Sequence, residues 1–302
     1  MARLVVSAGL LWLVSRRVDV GGVAERLGSL SPAWVAAGLA ISALQVLVLA
    51  WRWRFTAARL GIALPMRVAL GEYYLSILLN QVLPGGVLGD VSRAWRHART
   101  DAPTGSAVRA VVLERASAQV LMTLTAIVSV LCLPWAPVSV RVAVALVGLA
   151  LCGLGLTWLS KRKAAAPDSV TGRLWSDTYR ALFSPGAPAQ QLGSALLVVG
   201  SYIAVFLVAG RAIGTATPAG TMVPLVAPVL MTMLVPVTIA GWGIREAAAT
   251  ALWGFAGLTP EDGAAISVTY GLIVLVSSAP GILSLISVLF GDRDRRARPP
   301  RA

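Results

Sequence analysis

Apolar residues in this chain come in long runs that no charge interrupts. None occurs from Ala116 to Val140, Val142 to Ser160, Ala181 to Gly210, Ala212 to Ile244 or Gly263 to Gly291. Each run approaches or exceeds the roughly 20 residues that a helix needs to cross a bilayer. A further span is predicted from Pro32 to about Ala50. The apolar stretch from Leu4 to Val14 reads as a retained first helix, because two arginines and no small-residue cleavage site follow it. About six crossings are therefore expected, at Leu4–Val14, Pro32–Ala50, 111–133, 141–159, 192–210 and 263–290.

The polar positions that remain set the topology. WRWR at 51–54, Arg59 and Arg67 form one basic segment, and Arg93, Arg96, Arg99 and Arg109 form a second. Only Val68 to Ser92 separates them, so a single crossing there would put one basic segment outside, against the positive-inside rule. A hairpin over about 68–92 that enters and leaves on the cytoplasmic side resolves the conflict, with its tip at Pro84-Gly85-Gly86. Downstream, the uncharged LPWAPVSV is a turn, and KRK at 161–163 returns the chain to the cytoplasm. The stretch from about 161 to 191 is expected to carry a helix, either at the membrane interface or in a plain cytoplasmic loop. One crossing precedes the basic tail at 292–302, so the segment at about 221–260 must begin and end outside. Its middle, LVPVTIAGWGIREAAA, is broken by Pro236, Gly241 and Gly243.

The two broken segments are alike. LPGGVLGDVSR and VPVTIAGWGIRE each run from a proline through glycines to an acid and an arginine. With opposite entry sides they make an inverted repeat, the arrangement in which discontinuous helices meet near the midplane and build a substrate site. The expected architecture is a single all-α integral membrane domain over 1–302, with about six transmembrane helices and two oppositely oriented re-entrant hairpins.

Composition narrows the function. Hydrophobic residues are 57% of the chain and charged residues 13%, with a mean hydropathy of +0.78, whereas soluble domains carry about 25% charge. The net charge of +13 lies in short segments between apolar runs and sets orientation. Without stacking aromatics along a basic groove it does not point to nucleic acid. Cys132 and Cys152 sit in apolar runs without CxxC spacing and read as small packing residues, as do Gly148, Gly153 and Gly155. A single histidine, His97, gives no metal site and no Ser/His/Asp or Cys/His set. No cofactor is implied and no enzyme is expected, although Asp90 or Glu246 as base of a membrane-embedded transferase is the enzymatic alternative.

Charges at membrane depth cost roughly 2.5 to 3.5 kcal/mol each and persist where they face a cavity or one another. Glycine breaks free backbone N–H groups that attract anions, and arginine adds a planar fork suited to phosphate. The candidate phosphate site is therefore Arg93 and Arg245 with the turns at Gly85, Gly86, Gly89, Gly241 and Gly243. Asp90 and Glu246 orient the arginines or meet a cationic headgroup. Asn80 caps or bridges the broken backbone, and Glu114 and Arg115 open the following span, where they face the same cavity or mark a helix end at the interface. The competing reading makes Asp90–Arg93 and Arg245–Glu246 ion pairs that lock the hairpins. Tyr73 and Tyr74, like WRWR, are read as interface residues.

These residues carry a resemblance. RWRF at 52–55, YYLSILLNQVLPGGVLGDVSRAW at 73–95, LERASAQ at 113–119, PVTIAGWGIREAA at 236–248 and AISVTYGLIVLVSSAPGILSL at 265–285 are similar to the lysylphosphatidylglycerol synthase transmembrane-domain family. These are flippase-like membrane proteins that include the membrane part of the bacterial multiple peptide resistance factor. The resemblance implies two re-entrant segments and a role in moving lipids with anionic or modified headgroups between leaflets of the plasma membrane, with a cytoplasmic C-terminus. It carries no soluble aminoacyl-transferase domain here, so lysyl transfer is not implied. The common GGD form of the motif reads Leu88-Gly89-Asp90 in this chain. The alternative function is a non-transporting partner of an envelope glycosyltransferase or lipid-modifying enzyme.

Overall fold

The computed structural model describes residues 2–16, 18–83, 88–98, 104–161, 169–235 and 238–296, and its regular elements there are all helical. In chain order they are α1 (Ala2–Ser15), α2 (Val20–Gly28), α3 (Pro32–Arg59), α4 (Met66–Val82), α5 (Leu88–Ala98), α6 (Thr104–Cys132), α7 (Val138–Lys161), α8 (Val170–Thr178), α9 (Ala187–Ala212), α10 (Ala219–Met231), α11 (Ile244–Phe255), α12 (Pro260–Ser277) and α13 (Pro280–Arg296). A π-helical turn, Tyr179–Phe183, leads into α9, and a 3-10 turn, Thr232–Leu234, ends α10.

Among the described residues four helices are long and apolar enough to cross a membrane: α3, α6, α7 and α9. A fifth span forms if α12 and the apolar part of α13, bent by 41° at their junction, are taken together. This is fewer than the six crossings expected. The difference is α1, whose 14 residues reach only about 21 Å. It packs against α11, and its Ser7 Oγ accepts the N–H of Ile239, in the turn before α11, at 3.0 Å. Residues 16–31, expected as loop, fold in part into α2, whose first turn is capped by the Asp19 carboxylate on Gly21 N–H at 3.0 Å.

Polar contacts define the two ends of the bundle. At one end Ser31 N–H donates to Ala212 O, Thr215 donates to Asp262, and Arg26 pairs with Asp262. The start of α3, the end of α9 and the start of α12 therefore meet there. At the other end Arg59 donates to Ser184 and Arg109 pairs with Asp177, gathering the end of α3, the start of α6 and α8. α4 begins seven positions after α3 ends and packs against α5, and α5 in turn packs against α6. α10 follows α9 and packs against α11, which leads directly into α12 and packs along it.

Each hairpin turns where the sequence demands it. Leu83 and Val235, each preceding a proline, take extended backbone at ψ 145° and 110°, because a following proline clashes with the helical conformation. Pro84, Gly85, Gly86 and Val87, and also Pro236 and Val237, lie outside the described residues, as do 162–163 of the KRK segment and the tail beyond 296. Of the small residues expected to pack, Gly148 meets Ile127, 3.6 Å from a built Cβ, whereas Gly153 and Gly155 have none of the described residues within 4 Å. Cys132, at the end of α6, and Cys152, on α7, are exposed free thiols. α7 is a peripheral helix with little interior to pack against, which leaves Gly153, Gly155 and Cys152 at its surface.

Candidate functional site

The polar interior is built from four helices. α3 presents Ser42, Gln45, Leu49, Arg52 and Thr56 inward at spacings of three and four, which in a 3.6-residue helix is one face. α4 presents Tyr73, Ser76 and Asn80 in the same way. α5 supplies Asp90 and Arg93, and α6 supplies Glu114 and Arg115. Sequence reading assigned Arg52 and Trp53 to the interface, yet both are fully buried, while Trp51 and Arg54 on the other face are the exposed pair. Tyr73 is likewise an interior residue, because its hydroxyl finds a buried carboxylate there.

Asp90 is the hub. Its Oδ1 accepts from Arg93 Nη2 at 3.0 Å, from Arg115 Nε at 3.0 Å and from Ser76 Oγ at 3.2 Å, and its Oδ2 accepts from Arg115 Nη2 at 2.8 Å and Asn80 Nδ2 at 3.2 Å. Asn80 Oδ1 in turn accepts the Gly89 N–H at 2.8 Å, so Asn80 ties the end of α4 to the first turn of α5. Glu114 Oε2 accepts from Tyr73 at 2.6 Å and from Arg93 at 3.3 Å, and its Oε1 lies 3.9 Å from Arg52 Nε. Arg52 is held besides by Gln191 O, Ser194 and Ser117. Arg93 is fully enclosed, its guanidinium 4.5 Å from the Trp53 ring centroid and 4.1 Å from that of Tyr73. The rings offer cation–π attraction where its Nε and Nη1 lack hydrogen-bond partners.

The second broken segment repeats this logic with fewer parts. Gly243 has φ 91° and a built Cβ there would stand 2.9 Å from Ser7 O and 2.8 Å from Leu10 Cβ, so the turn against α1 admits glycine. Glu246 accepts the Gly243 N–H at 2.7 Å through Oε2, while Oε1 takes Arg245 Nη2 at 2.7 Å and Ser267 at 3.0 Å. Arg245 is buried between Trp242 and Tyr270, at 5.1 and 5.2 Å. Gly241, at φ 79°, packs on Met233.

Between the two constellations lies a cavity of about 240 Å³. Tyr73, Asn80, Glu114 and Arg115 form one wall, Gln45 and Tyr202 flank it, and Met122, Leu230, Met231, Met233 and Tyr270 form the apolar side. Of the residues singled out from sequence, Asn80, Glu114 and Arg115 line this space. Gly89 and Asp90 support it from the α4–α5 contact. Arg93 and Arg245 each sit behind a tyrosine that lines it, Tyr73 and Tyr270 respectively, and both ion pairs, Asp90–Arg93 and Arg245–Glu246, are present. Gly85 and Gly86 fall outside the described residues. Gln45, Arg52, Tyr73 and Tyr202 were missed, and the polar stripe 42-45-52-56 within an apolar helix was the signal that held two of them.

A family model described as "Lysylphosphatidylglycerol synthase TM region" matches residues 1–281. The chain belongs to that family. A comparison with curated proteins finds no match.

Proposed function

We propose that this member of the lysylphosphatidylglycerol synthase TM region family is a transporter, not an enzyme, that moves a phosphate-bearing lipid between leaflets of the plasma membrane. One observation carries the reading: the buried cluster beside the cavity has an uncompensated positive charge. Among the described residues Arg52, Arg93 and Arg115 face Asp90 and Glu114, three cations against two anions, for a net +1. Arg115 is the arginine that lines the cavity, and its side chain is 37% exposed while those of Arg52 and Arg93 are at 0%. A lipid phosphate at Arg115 would neutralise the cluster in a medium where net charge is expensive. The apolar wall opposite suits the first carbons of the acyl chains, which stay in the bilayer while the headgroup passes.

Removing this charge tests the reading without breaking the fold, because Arg115→Gln leaves two arginines balanced by two carboxylates. In proteoliposomes carrying a headgroup-labelled anionic lipid, the initial rate of leaflet exchange is expected to fall about tenfold or more, since a hydrogen bond to a charged group contributes about 1.5–3 kcal/mol. An unchanged rate would reject Arg115 as the contact. Absence of exchange by wild type, with a lipid-modifying enzyme co-purifying, would favour the non-transporting partner.

The reading also makes α4–α5 and α10–α11 re-entrant hairpins from opposite faces, with the C-terminus cytoplasmic. The packing of α4 against α5 and of α10 against α11 supports this, as do Arg54, Arg59, Arg67, Arg96 and Arg109 at one end of the bundle. With Cys132 and Cys152 replaced by serine, Arg67→Cys and Ala98→Cys are expected to react with an impermeant thiol reagent only from the cytoplasmic side. Ala219→Cys and Thr259→Cys should react only from outside. Labelling of Arg67→Cys and Ala98→Cys from opposite sides would make α4–α5 a crossing and overturn the scheme.

A further inference from the structure

α3 and α9 enclose a groove of about 570 Å³ that shares no lining residue with the central cavity. The two helices run antiparallel: Ser31 N–H, just before α3, donates to Ala212 O at the end of α9, and Arg59 at the end of α3 donates to Ser184, just before α9. Position along them therefore measures depth from the Arg59 end. Arg54 and Gln190, which line the groove, lie within about one and a half turns of that end. Leu47 and Leu197 line it about 15–18 Å along the helices from the same end. The groove is thus polar at its mouth and apolar below.

Arg54 is exposed, and among the described residues it has no ion pair or hydrogen bond. Arg52 and Arg59, on either side of it in sequence, are both held, by Ser194 and Gln191 O and by Ser184. Trp51 forms one edge of the groove and is stacked on Phe55, with ring centroids 5.4 Å apart. Gly193 keeps the groove open, because a Cβ built there meets nothing within 4 Å. Both helices are long and apolar enough to cross a membrane, which sets Leu47 and Leu197 against hydrocarbon and brings Trp51 and Arg54 toward headgroup level, the depth that such residues favour. An unpaired guanidinium above an apolar trough complements a ligand with an anionic phosphate at one end and hydrocarbon at the other.

We propose that the α3–α9 groove is a second lipid site, holding a phospholipid of the leaflet at the Arg59 end. Its phosphate lies on Arg54 and the Gln190 amide, and one acyl chain runs past Gly193 to Leu197. The proposal does not depend on transport through the central cavity.

Native mass spectrometry of delipidated protein tests it, with dioleoyl phosphatidylglycerol as one probe and dioleoylglycerol, which has the same chains and no phosphate, as the other. Every protein in the comparison carries Arg115→Gln, so that the central cavity offers no arginine to a phosphate. This background is expected to retain phosphatidylglycerol at least tenfold over dioleoylglycerol. Arg54→Gln should lower phosphatidylglycerol retention about tenfold, the loss of one charge-assisted hydrogen bond, and leave dioleoylglycerol unchanged. Gly193→Trp, whose side chain enters the open groove, should lower retention of both. Equal retention of the two probes by the background overturns the proposal, as does its failure to retain phosphatidylglycerol. Retention unchanged by Arg54→Gln and Gly193→Trp places the lipid elsewhere and overturns it too. If Gly193→Trp does not yield monodisperse protein, Arg54→Gln, a change at an exposed side chain, decides alone.

Discussion

Glu114→Ala is expected to destabilise the protein by about 3–5 kcal/mol, the range found when one partner of a buried ion pair is removed. The wild-type cluster already carries one positive charge more than it balances. Without Glu114, Arg52, Arg93 and Arg115 would face Asp90 alone, and the net charge in the interior would rise to +2. The loss is concentrated on Arg93 and Arg52. Arg93 keeps Asp90, but Arg52 is left with neutral partners, Gln191 O, Ser194 and Ser117, and the Tyr73 hydroxyl loses its acceptor. Thermal unfolding in detergent, followed by loss of monodisperse protein, reads the effect. Arg115→Gln serves as the comparison, because it neutralises the cluster and should cost far less. Pairing Glu114→Gln with Arg93→Gln restores the original net charge, so the double variant is expected to lose less than the sum of the two singles by about 0.5–3 kcal/mol. Strict additivity would mean that the two side chains do not share one electrostatic network.

That network also shows how far the sequence could be read. Long charge-free runs were enough to place the helices, and the Pro-Gly break between two basic segments to bring Asn80, Asp90, Arg93, Glu114 and Arg115 into one neighbourhood, because charge in an apolar chain has few places to go. Arg52 and Trp53 were misplaced for an equally physical reason. WRWR at the end of a span satisfies the interface rule residue by residue, and only helical phase separates the outward pair, Trp51 and Arg54, from the inward pair. Phase was legible in the polar stripe of Ser42, Gln45, Arg52 and Thr56. α1 was legible as an apolar helix, but hydropathy does not tell what that helix packs against, in this case α11 and the turn before it. The tyrosines could not have been assigned at all from sequence. Tyr73 and Tyr270 stand between a buried arginine and the cavity only because α4 and α12 bring them there from distant parts of the chain.

Those two tyrosines give the hairpins a common design. In each, a guanidinium is locked by a carboxylate on one side and stacked on a tyrosine on the other, and the tyrosine's far face borders the cavity. Arg93 and Arg245 thus brace the walls, and Arg115 is the arginine that lines the cavity, with no counterpart among the described residues of the second motif. The two motifs are alike in how they are braced and differ in what lines the cavity beside them: Tyr73, Asn80, Glu114 and Arg115, from α4 and α6, on one side, and Met231, Met233 and Leu234 on the other.

Positioning of that polar wall depends on how closely α4 and α5 approach, and Gly89→Ala is the change that attacks it most directly. A Cβ built at residue 89 would lie 2.0 Å from Ser76 O and 2.7 Å from Ser76 C, with Asn80 Oδ1 at 2.9 Å. The obstacle is backbone, so no rotamer change relieves it, and the two helices must separate. Separation lengthens three contacts together: Gly89 N–H to Asn80, Asn80 to Asp90, and Ser76 to Asp90. Asp90 then loses its fixed place between Arg93 and Arg115. Overpacking of a tight core costs typically 1–3 kcal/mol, and the loss of part of a buried charged network adds to it, so a total of at least about 3 kcal/mol is expected in the same detergent melt. Leaflet exchange should fall below detection even at temperatures where the variant remains folded, because Arg115 would no longer be held toward the cavity. Trimming the neighbour does not help: Ser76→Gly removes a side chain but leaves the carbonyl in place, so Gly89→Ala combined with Ser76→Gly should be no more stable than Gly89→Ala alone. Recovery in that double variant would show that the side chains, and not the two backbones, set the distance between α4 and α5.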